Sequence, residues 1–110
     1  SVPLPMSVAE NIDPEEALVA ATSSCHMLFF LSLAAQRGYV IDDYRDAAVG
    51  ELGKNAAGRL AMTRIVLRPR IAFAGTPPSP EALATLHHDA HERCYIANSL
   101  TADVVVEGVA

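Results

Sequence analysis

The first feature along the chain is an apolar run from Ala17 to Ala35, 19 consecutive residues without an ionised side chain. That length suits either a membrane span or a core helix apolar on nearly every side. Thr22, Ser23, Ser24, Cys25 and His26 cluster at its middle, where hydrocarbon tolerates polar groups least, so we read a core helix. Its start is clearly punctuated. Asp13 suits the cap, Pro14 the first helical position, and Glu15 and Glu16 the positive end of the helix dipole; Asp13 and Glu16 also have capping-box spacing. The helix is expected to reach about Arg37, with Gly38 as its stop. Residues 1–12 carry two prolines and no sustained period, and read as an irregular lead-in.

A period of two follows. Tyr44 to Gly53 is expected to be a strand, and Lys54-Asn55-Ala56-Ala57-Gly58 a turn into the next one. From Ala61 onward, Thr63, Ile65, Leu67, Ile71 and Phe73 fall on one face and Arg64, Arg68 and Arg70 on the other, the alternation of a half-buried antiparallel strand. Pro69 places an edge or a bulge there. The arginine row reads as a solvated sheet face.

The helical period returns after Gly75-Thr76-Pro77-Pro78. Ser79-Pro80-Glu81 repeats the cap-then-proline start, Leu83, Leu86, Ala90 and Cys94 form the buried stripe, and Asn98 and Ser99 end the helix. Leu100 to Glu107, rich in valine, is the last strand. The order of helix, strands, helix and strand implies a single α+β domain over residues 1–110, an antiparallel sheet backed by a central buried helix and a second helix.

Composition narrows the function. With 51% hydrophobic residues in 110, the chain can bury a core, and a net charge of -5 disfavours nucleic acid and anionic membranes as partners. Two cysteines, 69 residues apart, are too few for a disulfide-stapled secreted scaffold, and no charged leader with a cleavage site opens the chain. A reducing cytoplasm is therefore expected, and there a cysteine pair means redox chemistry, a metal site or inert packing.

Each cysteine sits in an apolar helical pattern on the core side, so the two sulfurs can converge. A thiol needs help to ionise, and the middle of an unbroken helix gives little. Glu15 would be about 15 Å away along such a helix. A break at Thr22-Ser23-Ser24, which are weak helix formers and good caps, would put Cys25 in the first turn of a new helix. His26 lies about 100° round from Cys25 and is read as a partly buried or surface histidine rather than its base. His87, His91 and Cys94, at i, i+4 and i+7, are the competing reading: a metal-binding module completed by Cys25 or His26. His88 points elsewhere. A structural dimer with inert cysteines is the third reading.

Two segments resemble the OsmC/Ohr family, the osmotically inducible and organic hydroperoxide resistance proteins. Asp13-Pro14-Glu15-Glu16-Ala17-Leu18-Val19-Ala20-Ala21-Thr22-Ser23-Ser24-Cys25 is similar to the family's N-P-E-x-L-x-A-A-x-x-x-C, and Ala90-His91-Glu92-Arg93-Cys94-Tyr95-Ile96-Ala97-Asn98-Ser99 to its A-H-x-x-C-P-x-S-N. The resemblance covers about residues 13–107. Asp13 replaces the usual asparagine and Tyr95 the usual proline. Family members normally begin with strands that carry an activating arginine, and no such segment precedes Ser1 in this sequence.

The resemblance implies an intertwined homodimer acting as a thiol peroxidase without metal, flavin or other cofactor, its active sites at the subunit interface. Cys25 would be the peroxidatic cysteine, Cys94 the resolving one, and Glu15 the carboxylate that orients an arginine against the thiolate. The substrate would be an organic hydroperoxide, and a lipoyl or thioredoxin-like dithiol the reductant, with neither nucleic acid nor membrane as partner.

Overall fold

The computed structural model describes residues 13–107, so the lead-in over 1–12 lies outside the described residues. Helix α1 spans Pro14–Gln36. The Asp13 carboxylate accepts the Glu16 backbone N–H at 2.9 Å, as the capping pattern requires, and Gly38 stops the helix at φ +85°. The break expected at Thr22-Ser23-Ser24 does not occur; α1 is continuous through it. The hydroxyls find partners compatible with a helix. Thr22 Oγ1 donates to the Leu18 carbonyl at 2.8 Å, and Ser23 Oγ donates outward to the Asp46 carboxylate.

The segment read as one strand over Tyr44 to Gly53 is two, β1 (Val40–Asp46) and β2 (Val49–Lys54). Likewise the long strand beyond Ala61 divides at Arg68 into β3 (Leu60–Leu67) and β4 (Pro69–Ala74). The α+β class stands, but the strands form two sheets. β1 pairs with β4, β2 pairs with β3, both antiparallel, so one long hairpin folds across its own middle. Asp46 pins the crossing: its Oδ1 accepts the Arg68 backbone N–H at 2.6 Å, while Oδ2 takes the Ser23 hydroxyl. Pro69, buried at the start of β4, has no N–H to extend the ladder of β3, which suits a change of sheet. The tip is the expected turn, where the Asn55 side chain accepts the Ala57 and Arg59 N–H groups, both at 3.0 Å.

Helix α2 (Pro80–Arg93) begins as expected, with Ser79 Oγ accepting the Ala82 N–H at 3.1 Å. It ends earlier than its apolar stripe suggests. Cys94 takes an extended conformation (φ -65°, ψ 112°), and a short helix α3 (Tyr95–Ser99) follows. The Asn98 side chain bridges back across the kink, donating to the carbonyls of Glu92 at 2.9 Å and Cys94 at 3.0 Å. Strand β5 (Asp103–Val106) then joins β3 in parallel, completing a three-stranded sheet in the order β2-β3-β5.

Phe30, Leu33 and Ala34 of α1 and Leu86 and Ala90 of α2 form the buried core, with Tyr44, Ile71 and Phe73 packed against it. Ile65, Val66 and Leu67 are all buried, because the middle strand of the larger sheet is covered on both faces at this point. The alternating pattern named only Ile65 and Leu67. By length and composition α1 could cross a membrane, yet the face bearing Thr22, His26, Phe30, Leu33 and Ala34 is buried in the domain. The opposite face is open, with Leu28 61% exposed.

Candidate active site

Cys25 projects from the middle of α1 and Cys94 occupies the kink between α2 and α3, and the fold sets the two thiols side by side. Both are free thiols. They differ in access. Cys25 is half-buried and opens on a cavity of about 440 Å³, whereas Cys94 is buried behind it at 1% exposure. Leu28, Phe29, Tyr95 and Ile96 give that cavity an apolar wall, relieved by Ser24 and Ser32. Phe29 and Tyr95 meet edge to face, with ring centroids 5.1 Å apart.

The helix-terminus assistance expected for Cys25 falls instead on Cys94. Because α1 is unbroken, Cys25 has no helix start beneath it, while Cys94 caps α3 and its Sγ accepts the Ala97 N–H at 3.5 Å. Burial nonetheless pushes the Cys94 thiol above its ordinary pKa; the Ala97 N–H opposes this, and the adjacent Cys25 thiol adds to it. A protonated, protected Cys94 beside an accessible Cys25 is an ordered pair.

Glu15 is not beside Cys25 within this chain. Ten residues of continuous helix separate them by about 15 Å along the axis. Glu15 lines a second cavity of about 630 Å³ with Ser23, Met27, Tyr44 and Asp46. There Glu15 Oε2 and the Tyr44 hydroxyl are buried without a hydrogen-bond partner among the described residues. No arginine among the described residues lines the Cys25 cavity. Of the arginine row, Arg64 pairs with Glu51 at 3.6 Å and Arg68 with Glu107 at 2.8 Å.

The trio His87, His91 and Cys94 does not assemble. Since α2 ends at Arg93, Cys94 leaves the helical series and turns towards Cys25, and among the described residues no group of three His, Cys, Asp or Glu side chains is placed to hold a metal ion. His88 is exposed, with Glu92 at 3.7 Å. His26 faces away from Cys25 into the core, where its Nε2 lies 3.0 Å from His87 Nδ1. The two rings lie nearly parallel, edge to edge with centroids 5.3 Å apart, and Phe30 stacks on His87 at 4.4 Å. Desolvation, reinforced for His26 by the neighbouring His87 and His91, lowers both pKa values to about 4, with Asp46 partly opposing the shift at His26. Sequence reasoning missed this pair. The one local signal was that His26 and Thr22 share a helix face with Phe30, which makes that histidine a core residue.

Comparison with known proteins places the fold. A family model described as OsmC-like protein matches residues 8–108. An OsmC-like protein of unknown function from Vibrio cholerae is 55% identical, with a TM-score of 0.91, over 96% of this chain and 70% of that one. An OsmC-like protein from Mycoplasma pneumoniae (18% identity, TM-score 0.77, 96% and 75% of the two chains) has the same fold. So does the organic hydroperoxide resistance protein of Bacillus subtilis (20%, 0.75, 96% and 78%). No curated protein matches the chain in sequence.

Proposed function

The chain belongs to the OsmC-like family, and from that premise we propose that it is a cysteine-based peroxidase that reduces organic hydroperoxides. The observation that carries the reading is the adjacency of an accessible thiol, Cys25, and a buried one, Cys94, from distant parts of the chain. The name of the Bacillus subtilis relative supports the substrate class, as does the apolar wall around Cys25.

The Cys25 thiolate attacks the distal oxygen of ROOH. The O–O bond breaks, the departing alkoxide takes a proton and leaves as an alcohol, and Cys25 becomes a sulfenic acid. The Cys94 sulfur then displaces that hydroxyl, losing its own proton, so that a disulfide forms and water leaves. Cys94 suits this second step because burial keeps it from meeting the peroxide first. An external dithiol, lipoyl or thioredoxin-like, reduces the disulfide by exchange.

We assign the working unit as a homodimer. Leu28, 61% exposed, and Tyr95, 73% exposed, flank the Cys25 cavity, and a second copy would cover this apolar surface. Glu15 acts there by holding a cation against the thiolate. The deciding experiment is consumption of an organic hydroperoxide with a dithiol reductant, measured for the wild type and Cys25→Ser. Loss of turnover in the variant is expected; undiminished turnover removes the reading.

A further inference from the structure

Cys94 ends α2 in an extended conformation and the chain re-enters a helix at once, so Tyr95 becomes the first residue of α3 and its ring lies at the cavity over Cys25 rather than in the core. The ring is 73% exposed, and with Leu28 at the same cavity it leaves a large apolar surface open beside a thiol. We propose, resting on the peroxidase reading, that Tyr95 is a specificity-determining residue. With Phe29 it forms an aromatic wall that favours hydroperoxides carrying an aryl group close to the O–O bond over saturated ones of the same size.

The wall is built from both sides of the cysteine pair. Phe29 stands about one helical turn after Cys25 in α1, and Tyr95 directly follows Cys94. Their rings meet at 89° with centroids 5.1 Å apart, an edge-to-face contact that restrains both. The backbone at Tyr95 is tied down as well. The Asn98 side chain donates to the carbonyls of Glu92 and Cys94, and Ser99 Oγ donates to the Tyr95 carbonyl at 2.8 Å. A tyrosine has only two side-chain torsions, so a ring held in this way loses little freedom when a ligand packs on it.

A hydroperoxide whose distal oxygen meets Cys25 must lay its organic group in this cavity, whose volume of about 440 Å³ is in the range of small-molecule sites. Leu28 and Ile96 serve any apolar group through burial alone. An aryl group gains more, because its positive edge and negative face complement those of Tyr95 and Phe29. Among the described residues no charged side chain lines the cavity, which suits a neutral substrate. A second copy laid over Leu28 and Tyr95 would close the cavity from water and leave the wall inside it.

The test compares two hydroperoxides matched in size, cumene hydroperoxide and its saturated-ring counterpart, 2-cyclohexylprop-2-yl hydroperoxide. The full chain carries Cys94→Ser, which confines the reaction to the first step, so that a disturbance of the neighbouring Cys94 is not read as a change in substrate choice. The second-order rate of Cys25 oxidation is measured for each peroxide by quenched mass spectrometry, with Tyr95 intact, in Tyr95→Ala and in Tyr95→Phe. The aryl compound should react faster when Tyr95 is intact. Tyr95→Ala should lower the aryl-to-saturated rate ratio at least about threefold, and Tyr95→Phe should restore it to within about twofold. A smaller change of the ratio in Tyr95→Ala overturns the proposal while leaving the peroxidase reading intact. So does an equal loss for both compounds with a shift to monomer in light scattering, which would assign Tyr95 to the subunit contact instead. If neither compound oxidises Cys25 when Tyr95 is intact, the peroxidase reading itself falls and takes the proposal with it.

Discussion

His26 Nε2 and His87 Nδ1 lie 3.0 Å apart in the core, joining two imidazoles from helices α1 and α2 that are 61 residues apart in the chain. The pair can share one proton between the two nitrogens, but a second would have to enter a buried site beside His91, with only the Asp46 charge in its favour.

Stability should therefore fall on mild acidification. The ordinary histidine pKa is 6.5, and the folded values are about 4, so between these limits the unfolded chain binds more protons than the folded one. Stability is complete above about pH 6.5, is lost as pH falls towards 4, and changes no further from this source below that. The loss is on the order of 3 kcal/mol per ring as an upper bound. Urea midpoints at pH 7.5 and pH 5 measure it; a flat profile over that interval would show that the rings titrate normally.

The two cysteines should fail differently. Cys25→Ser should abolish hydroperoxide consumption. Cys94→Ser should permit one turnover and leave a sulfenic acid on Cys25 that a dimedone probe labels, because nothing then condenses with it. Mass spectrometry of the peptide containing Cys25 decides this, and equal labelling of the peroxide-treated wild type and Cys94→Ser would count against Cys94 as resolver.

Glu15→Ala should slow peroxide reduction by roughly tenfold or more while leaving the fold intact, since its carboxylate lines a separate cavity and makes no hydrogen bond through Oε2 among the described residues. An unchanged single-turnover rate in this variant would remove Glu15 from the reaction.

Phe30 is fully buried among Leu33, Ala34, Leu86 and Ala90 and stacks on His87. Phe30→Ala should cost about 3–5 kcal/mol of unfolding free energy. A loss under 1 kcal/mol by denaturant titration would mean that the α1–α2 junction is not the core.

Asp46 accepts both the Arg68 N–H and the Ser23 hydroxyl where the hairpin changes sheet. Asp46→Ala should cost about 1 kcal/mol by removing hydrogen bonds at a crossing where water reaches the freed Arg68 donor, and faster amide exchange at Arg68 would locate the damage.

Much of this protein is legible in its sequence because the signals are local. Asp13-Pro14 and Ser79-Pro80 start their helices through bonds that span three residues, Gly38 ends the first, and Asn55 to Gly58 closes the hairpin tip within its own turn. The two cysteine-bearing segments likewise identify the family from contiguous residues. Packing across the chain decided the rest. Thr22-Ser23-Ser24 could have broken α1, but Asp46, distant in sequence, gave Ser23 a partner and the helix continued. Cys94 kept its apolar place in the pattern yet left the helix, because Asn98 satisfies the carbonyls of Glu92 and Cys94 and α3 donates to its sulfur. The pairing of His26 with His87, the side-by-side thiols and the separation of Glu15 from Cys25 arise only when α1, α2 and the folded hairpin close on one another. Periodicity says which face of an element is apolar, and the tertiary structure says what that face meets.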